Sequence, residues 1–300
     1  MAAAVADAAE SMAWGPSRTL YLSYGIAAIK GRRPALMDAV VAMPSFTFLS
    51  PELGLDYFAV LDGYYGEAAA RHLQERLGAA IAGQILGELC TQGTPRYAAG
   101  PHDVPGWWTT TLRAALRAVH EEAVVSDGGA VGDGATALVA LVLEKYVVLA
   151  NSGASKAVVS RGGEVLQLSP EPKANGPDEK QAVGSFGVAA GSSLVKPGAS
   201  TAAAEVVAVE RTPEDDFLIL ASDGLWEGLT PAAACAFVRQ RLLTRTRMDS
   251  PWWLRLDAGG GSPAVVAREL AEHAVHKGSN DNVSVILILY RDFWAARANK

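Results

Sequence analysis

Leu218-Ile219-Leu220-Ala221-Ser222-Asp223-Gly224-Leu225-Trp226 is an apolar run that ends on a carboxylate and a glycine. Residues 217–221 read as a buried strand. Asp223-Gly224 reads as the turn that stops it. Near the end of the chain the order is reversed. Gly278-Ser279-Asn280-Asp281-Asn282-Val283-Ser284-Val285 places the acid before a strand read at 282–290. A third case is Phe58-Ala59-Val60-Leu61-Asp62-Gly63, where a strand at 57–61 meets another Asp-Gly. A carboxylate at the end of a buried strand is fixed by the sheet and exposed at its rim. Three converging carboxylates make a hard-oxygen site that suits Mg²⁺ or Mn²⁺. Without a cation they repel and raise one another's pKa. Ordinary turns have the same look, because Asp-Gly and Asp before Asn are common turn pairs. Both readings stand at this level.

Outward from these ends, strands read at 20–29 and 39–43. A helix reads at 67–90, where Leu73, Leu77, Ile81, Ile85 and Leu89 recur every four residues along one face. A Gly- and Pro-rich loop follows at 91–105. A second helix reads at 107–125, with Leu112, Leu116 and Val119 on one side. Short strands then read at 136–143, 146–151, 157–160, 165–168 and 206–209, with a polar loop at 169–178. Helices read at 231–243 and 264–275, separated by a loop at 248–263 that carries Trp252 and Trp253. Strands come in antiparallel-style runs, and helices come in pairs between them. Strict strand–helix alternation is absent, so a strand sandwich with helices packed outside is expected.

The composition limits what such a chain can do. Half of its 300 residues are apolar, enough for a sizeable core, and the net charge is -6. A mildly acidic chain is a poor electrostatic partner for nucleic acid. Two basic knots run against that balance: Lys30, Arg32 and Arg33, and Arg239, Arg241, Arg245 and Arg247. The second reads as a solvated helix end, where cations suit the dipole. Cys90 and Cys235 are too few for a disulfide framework or a zinc site, and read as buried thiols in a reducing compartment. No apolar run reaches membrane-spanning length, and the first residues lack a basic signal region. The expectation is one intracellular domain over residues 1–300, cytoplasmic or nuclear, monomeric, with 1–18 a flexible extension.

Arg33 lies between the turn at Gly31 and the strand that Asp38 opens. Beside an acidic metal cluster, a guanidinium can grip phosphoryl oxygens with two parallel hydrogen bonds. Away from one it is a surface residue in a turn.

These segments, in this order, resemble the type-2C protein phosphatase family, plant members in particular. Gly31 to Val40 resembles the opening motif, which usually ends Met-Glu-Asp-Ala. Phe58 to Gly63 resembles the lead into Asp-Gly-His-Gly. Gly134-Ala135-Thr136-Ala137 resembles Gly-Ser-Thr-Ala. Ala150 to Ala157 resembles Ala-Asn-x-Gly-Asp-Ser-Arg-Ala. Leu218 to Trp226 and Gly278 to Val285 are the most specific matches. The resemblance implies an α+β, four-layer α-β-β-α sandwich of two antiparallel sheets flanked by helix pairs. It implies metal-dependent hydrolysis of phosphoserine and phosphothreonine on a phosphoprotein substrate or signalling partner. Asp62, Asp223 and Asp281 would hold one Mg²⁺ or Mn²⁺, with Asp62 and the Gly63 carbonyl contributing to a second. Asp38 would orient the attacking water, and Arg33 would hold the phosphate.

Three positions depart from the pattern. Met37 stands for the family's Glu, Tyr64 for its His, and Ala154 for the Asp of Gly-Asp-Ser-Arg, a carboxylate linked to a third, weaker metal site. A thioether is a soft, neutral ligand and a poor one for Mg²⁺. A phenol, with a pKa of about 10, exchanges protons poorly near neutrality. One ion is expected to be retained and the second weakened. Activity is expected to be weak, or lost to a phosphoprotein-binding pseudophosphatase role. Tyr65 also replaces a Gly, and the stretch 170–197 fits the family loosely.

Overall fold

The computed structural model describes residues 23–46, 55–64, 67–92, 104–126, 134–143, 145–169, 186–187, 204–246 and 262–290. Eleven strands and five helices are described among them. The first three strands are β1 (Ser23–Ile29), β2 (Ala39–Met43) and β3 (Asp56–Tyr64). Helices α1 (Ala68–Gln92) and α2 (Val104–Ser126) follow. Then come β4 (Gly134–Val142), β5 (Tyr146–Asn151), β6 (Lys156–Arg161), β7 (Glu164–Gln167), β8 (Phe186–Gly187), β9 (Glu205–Glu210) and β10 (Asp215–Ala221). The last described elements are α3 (Asp223–Gly228), α4 (Pro231–Thr246), α5 (Pro263–His276) and β11 (Val283–Leu289).

Two antiparallel sheets form. One has the order β1-β11-β10-β6-β7, and the other β2-β3-β4-β5-β9, with β8 paired to the start of β4. Alternation along the strands divides the core into three layers. In β3, Phe58 and Val60 face the other sheet, while Tyr57, Ala59 and Leu61 pack with the helices. In β10, Leu218 and Leu220 face inward, and Phe217, Ile219 and Ala221 face outward. The inner layer is thus Phe58, Val60, Leu138, Ala140 and Leu149 against Val159, Leu218, Leu220, Ile286 and Ile288. Leu73, Leu77, Ile81 and Ile85 of α1, with Leu112, Leu116 and Val119 of α2, cover one outer face. Residues of α3, α4 and α5 cover the other. The order helices–sheet–sheet–helices is the four-layer sandwich expected. Among the described residues no helix is long and apolar enough to cross a membrane.

Two local readings change. Asp62-Gly63 does not end β3 as a turn: the strand runs to Tyr64, and Asp62 and Gly63 pair with Thr136 and Ala135 of β4. Asp223-Gly224 opens α3 rather than a turn. The apolar run is interrupted in both places, which leaves no hydrophobic signal for continuing structure.

Within the second basic knot, Arg239 and Arg241 make specific contacts rather than standing free in solvent. The Arg239 Nη2 donates to Ser160 Oγ at 2.6 Å and lies 3.8 Å from Asp216 Oδ2. Ser160 in turn donates to buried Asp216 at 2.8 Å. Arg241 pairs with Glu269 of α5 at 3.4 Å and lies over the Phe237 ring. These cations tie α4 to the sheet and to α5. The side chain of Arg245 and all of Arg247 lie outside the described residues, as do the side chain of Cys90 and the Trp252–Trp253 pair. Cys235 is a buried free thiol, pushed up to about 11 by its apolar surroundings. Asp216→Ala leaves Ser160 without its acceptor and the half-buried Arg239 without its counter-charge. A loss of about 3 kcal/mol is expected, read as a lower midpoint in thermal unfolding.

Candidate functional site

The register of the two sheets builds the site. β2 and β3 pair Ala39 with Leu61. One residue further toward the rim stand Asp38 and Asp62. They share parity with Val40 and Val60, which face the other sheet. Opposite, β10 and β11 pair Ala221 with Val285. One residue further stand Ser222 and Ser284, joined by Ser222 N–H to the Ser284 carbonyl at 3.0 Å and Ser284 N–H to Ser222 Oγ at 3.0 Å. Their hydroxyls lie beside the Asp38 carboxyl and favour its ionised form. Burial outweighs them: Asp38 is 8% exposed, its Oδ2 has no hydrogen-bond partner, and its pKa is raised to about 6. The rim between the sheets therefore collects carboxylates at the point where the apolar filling ends.

Asp223 enters from α3, one residue after Ser222 at the N-cap position. Burial and then the neighbouring Asp223 raise the pKa of Asp62 well above that of Asp38. A side-chain hydrogen bond joins Asp62 and Asp223, favouring the protonated first and the ionised second. Asp223 is still raised, by burial foremost, although the Gly224 N–H favours its ionised form.

Gly224 brings the last segment in. A Cβ there would collide with the Asn282 carbonyl oxygen, so the start of α3 and the turn before β11 touch through backbone. Gly224→Ala must push the two turns apart. Stability is expected to fall by about 2 kcal/mol, and Mn²⁺ affinity to fall with it. Calorimetric titration beside thermal unfolding checks both.

Asn282, which is buried, holds the loop that carries Arg33. Its Nδ2 donates to the carbonyls of Lys30 and Ala35, each at 2.9 Å, and its Oδ1 accepts the Met37 N–H at 2.7 Å. Gly31, at φ 57°, lies against the Asp281 carbonyl, where a side chain would collide. Arg32 donates to Asn280 Oδ1 at 3.0 Å and to the Val275 carbonyl at 3.4 Å. Arg33 then meets Asp281 with two bonds, Nε to Oδ1 at 2.9 Å and Nη2 to Oδ2 at 2.6 Å. The bond with Asp281, more than any distant charge, raises the Arg33 pKa.

Arg33, Asp38, Asp62, Asp223 and Asp281 thus gather at one rim from separate segments, and Gly63 is buried next to Asp62 in β3. Glu227 was not read from the sequence as part of this group. Its Oε2 accepts the Asn280 N–H at 3.3 Å, and its charge acts on both Arg33 and Asp223. It lies one helical turn after Asp223, a spacing that becomes visible only once Asp223 is seen to open a helix. Ser222, Ser284 and Asn282 were likewise missed as contributors. Met37 sits half-buried beside Asp38, and Tyr64 closes β3 opposite Gly134. Ala154 is exposed in the turn between β5 and β6. Tyr65 lies outside the described residues, as does the stretch 170–197 apart from β8.

The donor set suits a hard divalent cation. It is all oxygen, partly buried, and carries like charges that burial and mutual repulsion push toward protonation. The arrangement is not closed for one: among the described residues no three His, Cys, Asp or Glu side chains are placed to share an ion. Both oxygens of Asp281 are turned onto Arg33.

Comparison with known proteins agrees with this architecture. The family profile described as "Protein phosphatase 2C" matches residues 22–190 and 182–283. "Probable protein phosphatase 2C 8" of Oryza sativa subsp. japonica is 31% identical over 306 residues, covering 90% of this chain and 75% of its own length. "Protein phosphatase 2C 56" of Arabidopsis thaliana is 31% identical over 309 residues, covering 88% and 67%. The crystal structure of serine-threonine phosphatase 2C from Toxoplasma gondii shares the fold, with TM-score 0.68 and 17% identity over 92% of this chain and 97% of that one. With its sandwich, its motif order and its plant relatives, the chain belongs to the protein phosphatase 2C family of serine/threonine phosphatases.

Proposed function

We propose that this chain is a metal-dependent phosphoserine/phosphothreonine protein phosphatase with slow turnover, formed as one catalytic domain. The observation that carries the reading is the meeting of Arg33 with Asp38, Asp62, Asp223 and Asp281 at one rim of the sandwich. Asp62, Asp223 and Asp281, with the Gly63 carbonyl, would hold one Mg²⁺ or Mn²⁺. When bound, the ion supplies charge neutralisation and an acidified water at neutral pH. Asp38, buried and poised near neutrality, would orient the attacking water and accept its proton. Arg33 would grip the phosphoryl oxygens through its planar fork.

Met37 and Tyr64 support slow turnover. Met37 offers a second ion no hard ligand. Tyr64 offers the leaving alcohol a weak acid. The same two residues favour a second reading, a pseudophosphatase that binds a phosphoprotein without hydrolysing it. Phosphopeptide hydrolysis measured across a Mn²⁺ titration separates the two, with Asp223→Ala as the control. Slow release of phosphate that needs Mn²⁺ and Asp223 is expected. Phosphopeptide binding without any release would give the second reading. Family-like rates at modest Mn²⁺ would overturn the idea of an impaired site.

A further inference from the structure

We propose that the Arg33–Asp281 ion pair is a lock that a divalent cation must open, so that metal entry frees the phosphate-gripping arginine. The inference rests on the metal-dependent reading of the same rim. Both carboxylate oxygens of Asp281 accept from Arg33, at 2.9 and 2.6 Å, and Oδ1 also accepts the Asn282 N–H at 2.8 Å. A guanidinium fork with both arms on a carboxylate has its most directional donors occupied. While the pair holds, the Arg33 fork is occupied by Asp281 rather than free for phosphate.

The loop geometry makes the exchange local. Asn282 pins the backbone on both sides of Arg33, through Lys30 and Ala35. Gly31 rests on the Asp281 backbone. The two side chains are therefore held within reach of each other, while the Arg33 side chain keeps 47% of its surface exposed and can swing outward. Glu227 and Asp223 act on Arg33 with weaker attraction, and so offer a released guanidinium a place beside the rim. An ion on Asp281 competes directly with the fork for the same oxygens. Cation binding and arginine release are then one event, and coupling of this kind is reciprocal.

The test is a Mn²⁺ titration by calorimetry on the full chain after chelator treatment. Arg33→Ala and Arg33→Lys are compared with wild type, and Asp223→Ala marks site-specific heat. Arg33→Lys keeps the charge but cannot hold both oxygens. The lock predicts that Arg33→Ala binds Mn²⁺ about three- to tenfold tighter, and that Arg33→Lys recovers much of that gain. If Arg33→Ala tightens binding but Arg33→Lys matches wild type, bulk charge explains the effect and the lock is overturned. Equal affinity in all three also overturns it, and leaves the metal reading standing. No saturable heat in any of them removes the metal reading, and the lock falls with it. A second readout does not depend on affinity. The Arg33 Nε–H signal in NMR should be protected in the metal-free chain and lose that protection when Mg²⁺ is added. A signal unchanged at saturating Mg²⁺ overturns the proposal.

Discussion

Met37→Glu combined with Tyr64→His is expected to raise phosphopeptide turnover at saturating Mn²⁺ by at least about 10²-fold. Position 37 is well placed for a new ligand. Its backbone N–H is fixed by Asn282 at 2.7 Å, and it precedes the buried Asp38. A carboxylate there gives a second ion a hard donor where the thioether gives none. Position 64 lies two residues after Asp62 in the same strand. Alternate residues of a strand share a face, so a His at 64 would stand on the Asp62 side. An imidazole with a pKa of about 6.5 donates a proton at neutral pH far more readily than a phenol at about 10. The single variants divide the gain. Met37→Glu should lower the Mn²⁺ concentration needed and also raise the rate at saturation. Tyr64→His should act through the rate at saturation, and should introduce a decline in rate as pH rises past the imidazole. A double variant no faster than wild type would show that the impairment lies elsewhere.

Asp62→Asn is expected to move stability and metal binding in opposite directions. In the metal-free chain burial raises Asp38 to about 6 from an ordinary 3.8, and raises Asp62 further still. A carboxyl with a raised pKa holds its proton in the folded state after the unfolded chain would release it. Its contribution to stability is complete below pH 3.8. It is lost as pH rises through 6 and beyond. The metal-free protein should therefore weaken from mildly acid to neutral pH. The uncharged amide removes the most strongly shifted group. Asp62→Asn should be about 2 kcal/mol more stable than wild type at pH 7 in chelator, with a flatter pH dependence. The same variant should lose saturable Mn²⁺ binding. Wild type should recover its deficit when Mn²⁺ is added, because the ion binds the folded state only. Urea unfolding from pH 5 to 8, with and without Mn²⁺, checks each part. An Asp62→Asn protein less stable than wild type in chelator would show that the carboxylates do not strain the fold.

Electrostatics and packing thus pull against each other at this rim. The inter-sheet core ends at Val60, Leu220 and Ile286, and the next residues of matching parity are polar. Asp38, Asp62, Ser222 and Ser284 stand there because the sheets hold them there. Removing the core would scatter them, whereas removing their charge would relax it.

Much of this was legible in the chain. The apolar runs in residues 57–61, 217–221 and 283–289 mark buried strands. The four-residue recurrence of Leu73, Leu77, Ile81 and Ile85 marks the covering helix, because burial on one face leaves its period in the sequence. The motif order marks the family, and with it the four-layer sandwich and the identity of the rim aspartates. Tertiary structure alone decided how those residues meet. That Asp62 lies inside a strand and Asp223 opens a helix follows from backbone pairing, which leaves no hydrophobic pattern to read. That Glu227 joins the group, that Asn282 staples the Arg33 loop, and that Arg33 grips Asp281 depend on residues brought together by folding from separate parts of the chain. A sequence records which faces are apolar. It does not record which of two charged partners a flexible arginine will choose, because that choice is set by distances fixed only when both sheets have closed.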